Sequence, residues 1–169
     1  PPSEQERKII FAALLGLGMN IGLEKMAQST PGISYSQLAN AKQWRFYKEA
    51  LTRAQSVLVN YQLKLPVADF WGEGKTTASD GMRVPVGVSA LKSDVNPHYK
   101  SMEKGATMIR SINDRHTTHH IEVASTNTRE ATHTLDGLLY HETDLDIEEH
   151  FTDTNGYSDQ VFGMTALLG

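Results

Sequence analysis

The chain has 169 residues, 39% of them hydrophobic, a net charge of −4 and no cysteine. That length suits one domain, or one domain with an accessory element, and allows a real core. No apolar run approaches the roughly 18 residues of a membrane span, residues 1–7 lack a basic signal-peptide start, and disulfides and thiolate metal sites are excluded, which fits a cytosolic setting. The charge is uneven: after position 130 there are eight acidic residues and no Lys or Arg, which leaves sixteen basic against twelve acidic residues before it. Bulk charge alone therefore does not make this a nucleic-acid binder, although the front is mildly basic.

The first 66 residues read as a helical region. Ser3 with Glu6 has capping-box spacing ahead of the apolar run Ile9 to Leu15, so a helix of about three turns starts there, with Gly16 and Gly18 ending it. Asn20 is placed to cap a short second helix through Leu23 and Met26, and Pro31-Gly32 breaks the chain. Ser34 with Gln37 repeats the capping spacing. Trp44, Tyr47, Leu51, Ala54, Leu58 and Tyr61 then alternate steps of three and four, which predicts one long helix with a core-facing stripe. Lys42, Arg45, Lys48 and Arg53 lie mostly off that stripe, either as solvated charges or as contacts to DNA phosphates.

From position 67 the pattern changes to strands and loops. Gly72-Glu73-Gly74-Lys75 faintly resembles a phosphate-cradling loop, but its spacing is not that of a P-loop. Thr76 to Val88 is rich in β-branched and small residues, with Asp80-Gly81 in its middle, and 91–104 is a polar excursion. Ala106 to Ser111 and Thr117 to Ser125, around the turn Asn113-Asp114, predict a β-hairpin. Thr128 opens a helix with Ala131, Leu135, Leu138 and Leu139 on one face. The segment from Ile147 reads as a short strand ending at Asp153, followed by an Asn155-Gly156 turn and a helix carrying Tyr157, Val161, Met164 and Leu168.

This β-β-β-α-β-α order, with carboxylates on the first and fourth strands, predicts an α/β chain. Residues 67–169 form the front of an incomplete RNase H-like core and residues 1–66 are the helical region before it. In that layout the first and fourth strands are neighbours, which brings Asp80 and Asp153 together. Two carboxylates so close repel unless a cation sits between them, and Mg²⁺ favours such oxygen ligands. Zinc is the competing choice, with His116, His119, His120, His133, His141 and His150 as donors. No helical stretch carries two of them at i,i+4, and His119 and His120 alternate faces on a strand. A nucleophile elbow for a Ser-His-Asp hydrolase is also missing.

Segments spread along the chain resemble the C-terminal half of replicative transposases of the Tn-three family, whose catalytic triad is Asp, Asp, Glu. They are Gly22-Leu23-Glu24-Lys25-Met26-Ala27, Pro31 to Leu38, Ser79-Asp80-Gly81, Leu135-Asp136-Gly137-Leu138-Leu139 and Thr152 to Phe162, in family order. The resemblance implies that Asp80 and Asp153 are the first two catalytic aspartates, holding Mg²⁺ or Mn²⁺ for cleavage of DNA and strand transfer at transposon ends. It further implies a bacterial, cytoplasmic enzyme that joins the nucleoid during transposition. Its partners are transposon-end and target DNA and a second copy of itself, and it uses no membrane.

The family's third ligand, a glutamate, lies well beyond the second aspartate and so past Gly169, and its end-recognition region precedes the part matched here. The expectation is therefore a fragment that is inactive alone. Two other readings stay open at this stage, a non-catalytic DNA-binding or dimerisation fragment and an RNase H-like nuclease.

Overall fold

A computed structural model describes residues 2–99, 102–154 and 156–168. The helices are α1 (Glu4–Gly18), α2 (Leu23–Ser29), α3 (Tyr35–Arg45), α4 (Lys48–Leu63), α5 (Ala131–Leu139) and α6 (Asp159–Leu168). The strands are β1 (Thr76–Pro85), β2 (Gly105–Asn113), β3 (Thr118–Ser125) and β4 (Glu149–Thr152), and short 3-10 turns occupy Pro66–Phe70 and Pro97–Tyr99. Two compact units, residues 1–53 and 54–169, divide inside α4. Among the described residues no helix is long and apolar enough to cross a membrane.

In residues 1–53 the capping signals act as the sequence implies. The Ser3 hydroxyl accepts from the Glu6 N–H at 3.1 Å, and Ser34 and Gln37 form the full reciprocal box at the start of α3. Apolar side chains of α1 to α3 then meet around Ala12, Ala13, Ile33, Leu38 and Ala41, with Ile9, Leu23, Met26 and Phe46 packed on them. Gly16 does not end α1. It lies inside the helix, where an added Cβ would stand 3.2 Å from the Met26 Cβ, so its role is close approach to α2. Asn20 does not cap α2 either: it sits in the turn at φ 55°, and Gly22, at φ 85°, takes the cap position.

The long stripe from Trp44 to Tyr61 is broken and outward-facing. Phe46 turns into the apolar cluster of the first three helices, which ends α3 and starts α4 two residues later. Trp44, Tyr47, Leu51, Leu58 and Tyr61 are all exposed, Leu58 by 68%. Buried on α4 instead are Ser56 and Val59. A polar reason decides which face goes in: Gln55 Nε2 donates to the Thr118 carbonyl at 2.6 Å and Gln62 Nε2 to the Arg115 carbonyl at 3.0 Å. Backbone acceptors at the β2–β3 turn are satisfied by this face, and the apolar stripe is left outside.

The second unit is built on one four-stranded sheet of order β3-β2-β1-β4. β1–β2 and β2–β3 are antiparallel, whereas β1 and β4 are parallel, in register from Thr76 opposite Glu149 to Ser79 opposite Thr152. The first and fourth strands are thus neighbours, as the element order predicts, in a mixed α/β unit. α5 crosses one face closely: a Cβ on Gly137 would lie 2.9 Å from Ser111 Oγ. Its buried residues are therefore the small Ala131, Thr134 and Gly137, not the leucine face expected, and it begins three residues after Thr128. Leu135, Leu138 and Leu139 instead line a groove of about 510 Å³ shared with β4 and α6. Tyr157 precedes α6 rather than lying in it, and Asn155 is outside the described residues.

Candidate metal centre

β4 ends where β1 continues. The parallel register stops at Ser79 opposite Thr152, and the next residue on each strand is an aspartate, Asp80 on β1 and Asp153 just past β4. Side-by-side strands lie about 4.8 Å apart, so extending the register by one step sets the two carboxylates next to each other. A third carboxylate joins them. Oxygens of Asp80, Asp153 and Glu130 all lie within 4.8 Å of one another, with the two aspartates exposed and Glu130 half-buried.

Each carboxylate is held by local structure. Asp153 Oδ1 accepts the Gly156 N–H at 3.0 Å, and the Asp153 carbonyl accepts the same group at 3.2 Å. A Cβ at position 156 would stand 1.7 Å from Thr152 Oγ1, so a side chain there would displace the Thr152 hydroxyl. Glu130 sits immediately before α5 and reaches across β1 over Gly81, where an added Cβ would lie 2.2 Å from its Cδ and Oε1. Burial, and then the Asp153 and Asp80 charges, push its carboxyl above the usual carboxylate range. On the other side of β1, Arg110 of β2 is the register partner of Asp80.

His150 pins the β1–β4 register from the side chains. Its Nδ1 lies 2.7 Å from Thr77 Oγ1 and its Nε2 2.9 Å from Ser79 Oγ, three residues before Asp153. Burial lowers its pKa, which favours the neutral ring that such a bridge uses. Sequence reasoning missed Glu130, and it offered His150 only as a zinc donor, not as a bridge from β4 to Thr77 and Ser79. An acidic residue ahead of a helix is commonplace, so Glu130 carried no signal of its own. The alternation of Thr77 and Ser79 was the available clue that β4 would need a polar partner on that face.

The remaining candidates fall elsewhere. Lys42, Arg45, Lys48 and Arg53 are all exposed on α3 and α4, but Arg45 forms an ion pair with Glu6 and Arg53 donates to the Tyr47 hydroxyl at 3.3 Å. In the Gly72–Lys75 loop the Gly74 N–H donates to the Asp114 carboxylate at 3.0 Å and Lys75 pairs with Glu148, so the chain's own acids fill the place of a phosphate. Of the six histidines, His120, His141 and His150 stand near enough to His119 to lower its pKa, but among the described residues no three of the six have metal-ligand spacing. His119 meets His141 edge to face at 5.6 Å, and His116 meets Trp71 at 5.1 Å. Among the described residues the other group with metal-ligand spacing is Glu122, His133 and Asp136, in which His133 Nδ1 lies 3.2 Å from Glu122 Oε2 and Lys92 already stands 3.7 Å from the same glutamate.

The all-oxygen donor set at Asp80, Glu130 and Asp153 fits a hard divalent cation, and the Glu130 carboxylate occupies the space that a side chain at Gly81 would take. A family model described as the Tn3 transposase DDE domain matches residues 1–169. The chain belongs to this family. It is 56% identical, over 99% of its length, to the transposase for transposon Tn1546 of Enterococcus faecium, and 41% identical, over 98%, to that for transposon Tn501 of Pseudomonas aeruginosa. The transposase for transposon gamma-delta of Escherichia coli strain K12 is 34% identical over 95% of the chain. The chain spans 17% of the length of the first two relatives and 16% of the third, so it corresponds to one part of those proteins.

Proposed function

We propose that this chain supplies the first two acidic residues of a transposase active centre, Asp80 and Asp153, and that they hold Mg²⁺ or Mn²⁺ for cleavage and joining of DNA at transposon ends. The observation that carries the reading is the β1–β4 register, which sets the two aspartates side by side at the ends of paired strands. Residues 67–169 are then the front of an RNase H-like catalytic domain and residues 1–66 the helical region before it, a reading supported by the strand order β3-β2-β1-β4.

Asp80 and Asp153 would hold the divalent ion, and it would supply Lewis acidity to an attacking water or 3′-hydroxyl and to the leaving oxygen. The chain's own contribution is placement. Asp80 is fixed by β1, hydrogen-bonded on both edges up to Ser79, and Asp153 by its bond from Gly156. Arg110, opposite Asp80, offers a cation to a DNA phosphate brought to the carboxylates. Lys42, Arg45, Lys48 and Arg53 add phosphate contacts from the helices, with Arg45 weakened in that role by Glu6. Two copies acting on two transposon ends in a bacterial cytoplasm complete the reading.

A chimera tests it. In the Tn1546 transposase, with this chain in place of the matching segment, end cleavage in Mg²⁺ should persist, and Asp80→Asn or Asp153→Asn should lower it at least about a hundredfold, since ångström-scale errors of placement already cost that much. Cleavage at the unsubstituted rate by either variant overturns the assignment.

A further inference from the structure

We propose that Glu130 is a third metal ligand of this centre, contributed from the start of α5 between the two aspartates in sequence. The inference rests on the Asp80–Asp153 reading and adds a residue that neither the strand pattern nor the family triad supplies. Geometry carries it. A carboxylate oxygen of Glu130 lies within 4.8 Å of one from each aspartate, the separation at which three oxygens share one cation.

The backbone is arranged to admit this side chain. Position 81, directly after Asp80, is glycine, and an added Cβ would occupy the place of the Glu130 carboxylate, 2.2 to 2.5 Å from its Cδ, Oε1 and Oε2. Gly81 has no positive φ to explain the absence of a side chain. Close approach of Glu130 is the reason the structure offers. Placement ahead of α5 is defined as well, because Ala131, Thr134 and Gly137 bury that helix against the sheet and fix where the residue before it stands. Three negative groups brought together on rigid elements repel one another, and a divalent cation among them removes that repulsion.

The test is a titration of the 169-residue chain with Mn²⁺, followed by electron paramagnetic resonance of the free ion. Wild type is compared with Asp80→Asn, Asp153→Asn, Glu130→Gln, Gly81→Ala and, as a control outside the centre, Asp159→Asn, with circular dichroism to verify folding. Glu130→Gln should weaken Mn²⁺ about tenfold. Gly81→Ala should weaken it too, although it changes no charge, because it displaces the Glu130 carboxylate, and Asp159→Asn should leave it unchanged. Should Glu130→Gln fail to fold, Gly81→Ala decides in the same sense. Weakening by the aspartate variants together with wild-type affinity in Glu130→Gln or, failing its folding, Gly81→Ala overturns the role of Glu130 and leaves the two-aspartate centre standing. Wild-type affinity in all four variants overturns both.

Discussion

The two halves of the molecule bury different things. Residues 1–53 close over alanine, isoleucine and leucine, with Leu38 fully buried. Among the described residues every buried polar side chain belongs to residues 54–169, including Thr77, Ser79, Ser111, Asn113, His119 and His120. A helical cluster held by apolar area needs only periodicity. A sheet that sets carboxylates on neighbouring strands also has to fix register, and hydrogen-bonding side chains such as His150 with Thr77 and Ser79 do that directionally where apolar contacts would permit slippage.

Leu38→Ala should have the largest effect, a loss of about 3 kcal/mol, since the site is closed on all sides and a cavity would remain. Urea unfolding followed by hydrogen exchange should place the loss of protection in residues 1–53. Protection lost equally in both units would show that the two cores are not separate.

Acid should act on the other unit. Burial, reinforced by His141, His120 and His150, lowers His119 from 6.5 to about 4, and both its ring nitrogens are buried without a hydrogen-bond partner among the described residues. The unfolded chain takes up this proton near pH 6.5 and the folded one only near 4, so stability is complete above about 6.5 and falls as pH drops through that window. The loss amounts to roughly 3 kcal/mol at most. His141 and His150, also lowered by burial, tilt the same way. Melting temperature measured from pH 7 to pH 4 should fall steeply in the native chain and less in His119→Leu, and identical slopes would remove His119 from the account.

The smallest effect falls on the α4 stripe. Leu58→Gln should change stability by less than about 0.5 kcal/mol, because Leu58 is 68% exposed. A loss of 2 kcal/mol or more would restore the core-facing role that its spacing suggests.

That stripe also marks where the sequence stops being legible. Capping at Ser3 and Ser34, the β2–β3 hairpin and the adjacency of the Asp80 and Asp153 strands follow from local chemistry and element order, and all are present. The α4 orientation depends on Gln55 and Gln62 meeting carbonyls 63 and 53 residues away, which helical periodicity does not encode. Glu130 escaped for a related reason: its meaning lies in Gly81, on a strand 49 positions earlier, and neither residue is unusual where it stands. Gly137 likewise hid the packed face of α5, since close approach to Ser111 outweighs the leucine pattern.

The most direct measurement is anomalous X-ray scattering from crystals of the chain grown with Mn²⁺. The account predicts a peak between the Asp80 and Asp153 carboxylates, at the end of the paired β1 and β4 strands. A well-ordered crystal with no peak there, or with manganese only at Glu122, His133 and Asp136, would contradict it.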